Sequence, residues 1–452
     1  MLKPSTSFLG MGRDVGRRQS SHVSLITGWL KECHENHPNC LTSTDVALPT
    51  RVLDIGGDVV RLIDVALGQR GRYTALSHCW GGGIEIRTTK KNYAAQKEGL
   101  RYCDLPLSFR DATTVTRGLG LSDWEIESAN MAAIYQNAYL VIGADMAPNS
   151  DEGFLDIQGG GYNGDGWAIA TVDNDIIYAR SEHRGNNNHQ GAHPLDCEPL
   201  SARAWALQEQ FLSSRMVHFA SKEIIWECKS ALRCECMELD REGHAPCPPL
   251  SLRSLTSSSE SFPAKFREWY SLVDQVTYRS LTKSGDLLPC LSGMARQFQD
   301  SGAGAYLAGL WLEDLPVGLL WSSSPDRSRA VPYRGPSWSW TSIDQVTYPY
   351  GASPGFANHD NTFKKAYVKI IEAKCIPAGK DPLGAVSGGW LKVAAPLLKM
   401  EEDINIFPHY DSDEFHNEAL FLPVHWGVYS WTMARRCTWI DAAAAMYIDL
   451  DV

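Results

Sequence analysis

Three stretches of this chain have residue types and spacing that could support catalysis. At the end of an apolar run, Ser77-His78-Cys79 sets a hydroxyl, an imidazole and a thiol side by side, the ingredients of nucleophilic catalysis. Adjacent residues of a strand point to opposite faces, so His78 cannot serve as the base for Cys79. Ser77 and Cys79 share one face, while Leu76, His78 and Trp80 share the other. Ordinary packing of both faces is the alternative. Glu127 is the second candidate. On a helix predicted from Ser122 to about Asn137 it falls in the same sector as Trp124, Met131, Ile134 and Tyr135. A carboxyl in an apolar stripe loses hydration, its pKa rises, and it suits general acid/base work. Pairing with Arg110, Arg203 or Arg215 is the structural alternative. The third stretch is Arg203, Trp205, Gln208 and Glu209, predicted on a short helix over 203–212. One turn separates Trp205 from Glu209, with Gln208 beside them, so they either line a pocket together or pack the helix on a sheet.

Two groups of metal-ligand residue types also stand out. Cys33, His34, His37 and Cys40 offer thiol and imidazole donors, but four ligands within eight residues are crowded for zinc. Cys228, Cys234, Cys236, His244 and Cys247 follow the spacing of no common zinc module. Free buried thiols are the default reading of both, and no metal is expected. Gly81-Gly82-Gly83 closes the strand that ends near Trp80. With no helix opening at once and no GxGxxG, it reads as a turn, one that could still border a nucleotide pocket.

The elements that would position these residues can be read from local pattern. Leu25, Ile26, Trp29 and Leu30 recur at helical spacing, and Pro38 stops that helix. Strands are expected at Arg51–Ile55 and Val59–Val65 around Gly56-Gly57, then at Tyr73–Trp80. Asp104 is expected to cap a helix with Pro106 in its first turn and Phe109, Ala112, Val115, Thr116 and Leu119 on its apolar face. Ser122-Asp123-Trp124-Glu125 fits a capping box, and a strand from Tyr139 to Ala144 comes after that helix. A hairpin (Trp167–Val172, Ile176–Ala179), a strand pair (Met216–Phe219, Ile224–Cys228) and a helix around Phe266–Val276 follow. Past Trp311 short strands dominate.

The chain has 452 residues, enough for two to four domains, and 44% hydrophobic content supplies real cores. Its net charge of −11 and lack of a basic stripe argue against nucleic-acid binding. Fifteen tryptophans are an excess best explained by burial, since aromatics supply much of ordinary core area. Neither a secretory leader nor a membrane-spanning run is read, so the twelve cysteines are expected reduced and the protein cytoplasmic.

Five ordered blocks carry a family resemblance: YTALSHCWG (73–81), LPLSFRD (105–111), DWEIESANMAAIYQNA (123–138), RAWALQE (203–209) and IWEC (225–228). The chain resembles the fungal heterokaryon incompatibility (HET) domain family. The likeness extends to Trp29, Cys33, His37 and Cys40, and downstream to Leu291–Gly293, Ala308–Trp311 and Pro336–Trp340. It implies an α/β HET domain, distantly TIR-like, followed by an α+β, strand-rich C-terminal region. The expected divisions are a tail (1–20), an N-terminal helix and hairpin (21–69), the HET domain (70–230), a Cys/Pro/Ser-rich linker (231–262) and the C-terminal region (263–452).

The role implied is non-self recognition and cell-death signalling through protein partners, with homo-oligomerisation open. An NAD or nucleotide glycohydrolase, or a biosynthetic enzyme reusing the fold, is the alternative. TIR domains hydrolyse NAD with a helical glutamate, which would make NAD a substrate and Glu127, with Trp124, catalytic, beside Cys79. Ser77, Gly81, Gly82, Arg203, Gln208 and Glu209 would contact the ligand. One departure stands out: the strand the family carries before DWEIES is missing between Gly118 and Asp123. Without it the strand at Tyr139–Ala144 would have to pair antiparallel, or the two helices would have to be pulled apart by unwinding about Gly118–Ser122, and an inactive mis-spliced or degenerate member becomes a further reading.

Overall fold

The computed structural model describes residues 19–40, 46–57, 59–82, 88–121, 123–125, 131–155, 166–172, 175–180, 195, 197–221, 223–235, 262–319, 321–323, 329–347, 369–394, 398–399, 420–425, 428–430, 437–438 and 446–448. The chain divides into two compact units, Met1–Arg253 and Ser254–Val452.

The first unit begins with α1 (Gln19–Asn36). His22, Ile26, Trp29, Leu30 and Cys33 are buried, and their spacing of three and four puts them on one face. A 3-10 turn over Pro38–Cys40 follows. Nine strands then form one sheet: β1 (Arg51–Asp54), β2 (Val59–Asp64), β3 (Thr74–Ser77), β4 (Leu100–Arg101), β5 (Asp123–Glu125), β6 (Leu140–Gly143), β7 (Arg215–Phe219), β8 (Ile224–Cys228) and β9 (Leu232–Cys234). Their order is β9-β8-β7-β6-β3-β5-β1-β2-β4. The centre, β5-β3-β6-β7, is parallel, and the strands on either side of it pair antiparallel.

The helices that pack near the sheet centre are α2 (Leu107–Gly118), α3 (Met131–Asn137) and α4 (Ala204–Leu212), and a shorter helix spans Tyr93–Glu98. Side chains of α1 and α2 share one apolar core with Leu76, Ile142, Val217, Phe219, Ile224 and Trp226 on one sheet face. On the other face α4 reaches Ser77 and Glu227 through Glu209 and Gln210, and Tyr135 of α3 donates to the Leu76 carbonyl at 3.1 Å.

Several sequence expectations need correction. No helix runs from Ser122 to Asn137. Asp123–Glu125 is a strand, with Trp124 opposite Leu53 on β1 and Thr74 on β3, and α3 is the helix among the described residues of this stretch. Three extended residues that join two strands complete the sheet, and that long-range pairing outweighs the local capping signal. The strand expected to be missing therefore has a short occupant. As a result β6 runs parallel to β3, in register from Thr74/Leu140 to Ser77/Gly143, rather than antiparallel.

Asp104 does not cap α2, whose N-cap is Pro106; its carboxylate pairs with Arg101 at 2.8 Å instead. Strands β1 and β2 belong to the main sheet rather than to a separate N-terminal hairpin, and β9 carries the sheet into the segment expected to be linker.

The second unit contains α5 (Phe262–Thr277), α6 (Pro289–Phe298) and, among its strands, a sheet that includes Lys369–Pro377 and Val386–Ala394. Trp269 meets Phe298 and Trp311 edge to face at 5.1 and 5.4 Å. The Gly309 carbonyl accepts hydrogen bonds from both Trp269 and Trp340, each at 2.9 Å. With φ +92 at Gly309 and only 2.7 Å from an added Cβ to the Trp340 ring, that position requires glycine. Among the described residues, Trp29, Trp226, Trp269, Trp311, Trp338 and Trp340 are buried in core packing.

Candidate functional site

The chain leaves β3 for β5 on one side and then crosses back to β6 on the other. Strand order reverses between β3 and β6, and in open α/β sheets the crevice beyond the strand ends at such a point is where ligands bind. Ser77 ends β3 here, fully buried, and its hydroxyl donates to Glu209 Oε2 on α4. Helix α4 is built from good helix formers (AWALQEQFL) and starts from an extended Arg203. The Arg203 guanidinium donates to the His78 carbonyl, tying the helix start to the strand end. Ser213 closes the helix, its hydroxyl donating to the Glu209 carbonyl at 2.5 Å. Burial pushes the Glu209 carboxyl above the ordinary carboxylate range, while Ser77, Arg203 and a hydrogen bond from Tyr135 pull it back. A carboxyl shifted in this direction keeps its proton to higher pH than an ordinary one, the direction that suits general acid/base work.

A second buried group extends the row across the same sheet face. Gly143 lies opposite Ser77 on one side and His218 on the other. An added Cβ at Gly143 would stand 2.5 Å from Asp145 Oδ2 and 2.7 Å from Met216 Cε, so the glycine is what lets the Asp145 carboxylate fold over the strand. Asp145 Oδ2 lies 3.1 Å from His218 Nδ1, and Glu227 Oε2 lies 3.4 Å from His218 Nε2. Gln210 donates to Glu227 at 2.8 Å. Burial alone would lower the His218 pKa, but the two carboxylates together raise it to about 10. At neutral pH His218 is an imidazolium between two carboxylates.

Other residues singled out from sequence fall as follows. Cys79 is buried against Leu200 and Ala206. Burial raises its thiol pKa; Arg203 opposes this, and the carboxylates of Asp145 and Glu209 add to it. His78 is on the opposite face, stacked on Trp80 at 5.6 Å and edge-on to Phe109 at 5.0 Å. Burial first and Arg203 second hold it neutral, with its pKa lowered to about 3. Gly81 takes φ +73 in a turn where an added Cβ would lie 2.6 Å from Asn149, and Gly82 is exposed beside it. Gln208 is buried on α4. Trp124 is placed as backbone of β5, and Glu127 and Gly83 lie outside the described residues.

Sequence reasoning missed the roles of Tyr135, Asp145, His218 and Glu227. His218 and Glu227 are polar residues inside otherwise apolar strands, and the register that sets Met216 against Glu227 makes them diagonal neighbours. That interruption was the available signal. Cys33, His37 and Cys40 come together with Cys228, while His34 is exposed outside that group.

The family model described as Heterokaryon incompatibility protein (HET) matches residues 120–209. No curated protein and no solved structure matched the chain. The matched segment holds Tyr135, Gly143, Asp145, Arg203, Gln208 and Glu209 of the site; Ser77, His218 and Glu227 come from outside it. Among the described residues, no helix is long and apolar enough to cross a membrane.

Proposed function

We propose that this chain acts in fungal heterokaryon incompatibility, in non-self recognition and cell-death signalling exerted through protein partners in the cytoplasm. The observation that carries the reading is the HET match over 120–209, which holds six of the site's residues near the strand-order reversal. In this reading the Ser77–Glu209 and Arg203–His78 hydrogen bonds hold the β3 end and α4 in one arrangement that the signalling surface depends on. The test is induced expression in a filamentous fungus, read as colony growth and vital-dye entry. The wild-type chain is expected to arrest growth and Glu209→Gln to relieve the arrest at equal protein level. Unimpaired growth under strong induction of the wild type would overturn the reading.

One observation favours a second reading, a glycohydrolase acting on NAD or a related nucleotide. The Glu209 carboxyl, its pKa raised by burial, sits against the Ser77 hydroxyl at the topological switch point of a doubly wound sheet. Glu127, together with Trp124, remains what the TIR resemblance implies, and Glu209 becomes the glutamate that the geometry adds. Purified chain incubated with NAD should release nicotinamide if this reading holds, and comparison of Glu127→Gln with Glu209→Gln assigns the role. Absence of turnover removes this reading and leaves the first untouched.

A further inference from the structure

The packing of α1 on β8 brings four metal-ligand side chains to one point. Trp29 of α1 lies 6.2 Å from Trp226 of β8, ring centre to ring centre. Cys33 is one helical turn beyond Trp29, and Cys228 is two residues beyond Trp226 on the same strand face. The aromatic contact therefore sets the two thiols side by side. The chain then leaves α1 through a tight turn in which the His37 amide donates to the Cys33 carbonyl at 3.1 Å and the Cys40 amide to the His37 carbonyl at 2.9 Å. That turn carries His37 and Cys40 to the same place. One ligand atom from each of Cys33, His37, Cys40 and Cys228 lies within 4.8 Å of all the others. None of the three cysteines is in a disulfide, and all are essentially fully buried.

We propose that Cys33, His37, Cys40 and Cys228 bind one zinc ion in a closed Cys₃His site that pins α1 to β8. Zinc takes sulfur at about 2.3 Å and imidazole nitrogen at about 2.0 Å in a tetrahedron, so ligand atoms in a filled site stand roughly 3.5–3.8 Å apart. His37 Nδ1 and Cys228 Sγ are already 3.4 Å apart. The objection of crowding within eight residues disappears because His34 is left out and the fourth ligand comes from a position 191 residues beyond His37.

The surroundings are those a thiolate site uses. The Ala231 amide donates to Cys228 Sγ at 3.2 Å, and the Ser230 hydroxyl lies 3.7 Å from Cys40 Sγ. Three thiolates and one Zn²⁺ leave one net negative charge. The buried Arg215 guanidinium offers the countercharge: it hydrogen-bonds Cys33 and donates to the Cys40 carbonyl at 2.6 Å. Four protein ligands leave no open position, which assigns the ion a structural role.

The test uses the full chain, expressed with zinc supplementation and measured for bound metal, then exchanged into cobalt. About one zinc per chain is expected, with ligand-field bands of tetrahedral cobalt and a thiolate-to-cobalt charge-transfer band. His34→Ala should keep the metal and Cys228→Ser should lose it. His37→Cys should keep a tetrahedral spectrum shifted toward four-sulfur coordination, so the inference stands even if Cys228→Ser fails to fold. Absence of stoichiometric metal, an octahedral cobalt spectrum, or a disulfide between two of these cysteines in metal-free native protein would each overturn it.

Discussion

His218 and His78 are both buried, yet the fold shifts their pKa values in opposite directions. His218, raised to about 10, keeps a proton that the unfolded chain gives up above about 6.5, so its contribution to stability is complete below that pH. It drains away between about 6.5 and 10, at up to about 1.4 kcal/mol per pH unit. His78, lowered to about 3, stays neutral while the unfolded chain takes up a proton, so stability falls as pH drops from about 6.5 toward 3. Thermal unfolding of the wild type against His218→Gln should show a stability gap that narrows as pH rises toward 10. Against His78→Leu, the wild type should lose ground as pH falls below 6.5. Gaps that stay constant with pH would contradict these assignments. Gly143→Ala adds a steric test of the same row, because its Cβ would displace the Asp145 carboxylate and the Met216 methyl. It should cost about 1–3 kcal/mol and flatten the alkaline limb along with it, as His218 loses its nearest carboxylate.

At the level of elements, what could be read from the sequence depended on where the determining contacts lie. Helices α1 and α4 and strands β7 and β8 carry their signals within themselves, in periodicity and end residues, and they were legible almost to the residue. Strand β5 was not. Its three residues look like a helix start, and what makes them a strand is the pairing with Val52–Asp54 and Thr74, some 50 to 70 positions earlier. The candidate site divides in the same way. Ser77, Arg203 and Glu209 could be named from local pattern, whereas Asp145, His218 and Glu227 meet only because β6, β7 and β8 are neighbours. A proline at Trp124 separates the two readings of 122–137. In the first turn of a helix it would be tolerated, but within a central strand it removes a ladder amide. Trp124→Pro should be less stable than Trp124→Ala by on the order of 2–3 kcal/mol, with faster amide exchange in Val52–Asp54. Equal stability of the two variants would restore the helix.

For the whole molecule, the sheet order determines which piece of chain can fold by itself. The HET-matched segment, 120–209, contributes β5 and β6 to the sheet, and these two strands are not neighbours. Strand β3, from Thr74–Ser77, lies between them, and the other neighbour of β6 is β7, from Arg215–Phe219. Cut out alone, the segment would leave β6 unpaired on both edges and Glu209 without Ser77, so the apolar faces of α3 and α4 would have no sheet to cover. The unit Met1–Arg253 instead contains all nine strands, the helices on both faces and every residue of the polar row. Expressed separately, 1–253 should unfold in one cooperative transition and retain the stability lost between about pH 6.5 and 10 that marks His218. The 120–209 fragment should show no cooperative transition and no protected amides. Cooperative folding of the shorter fragment would mean that the matched segment carries its own core and that the sheet order described here does not govern it.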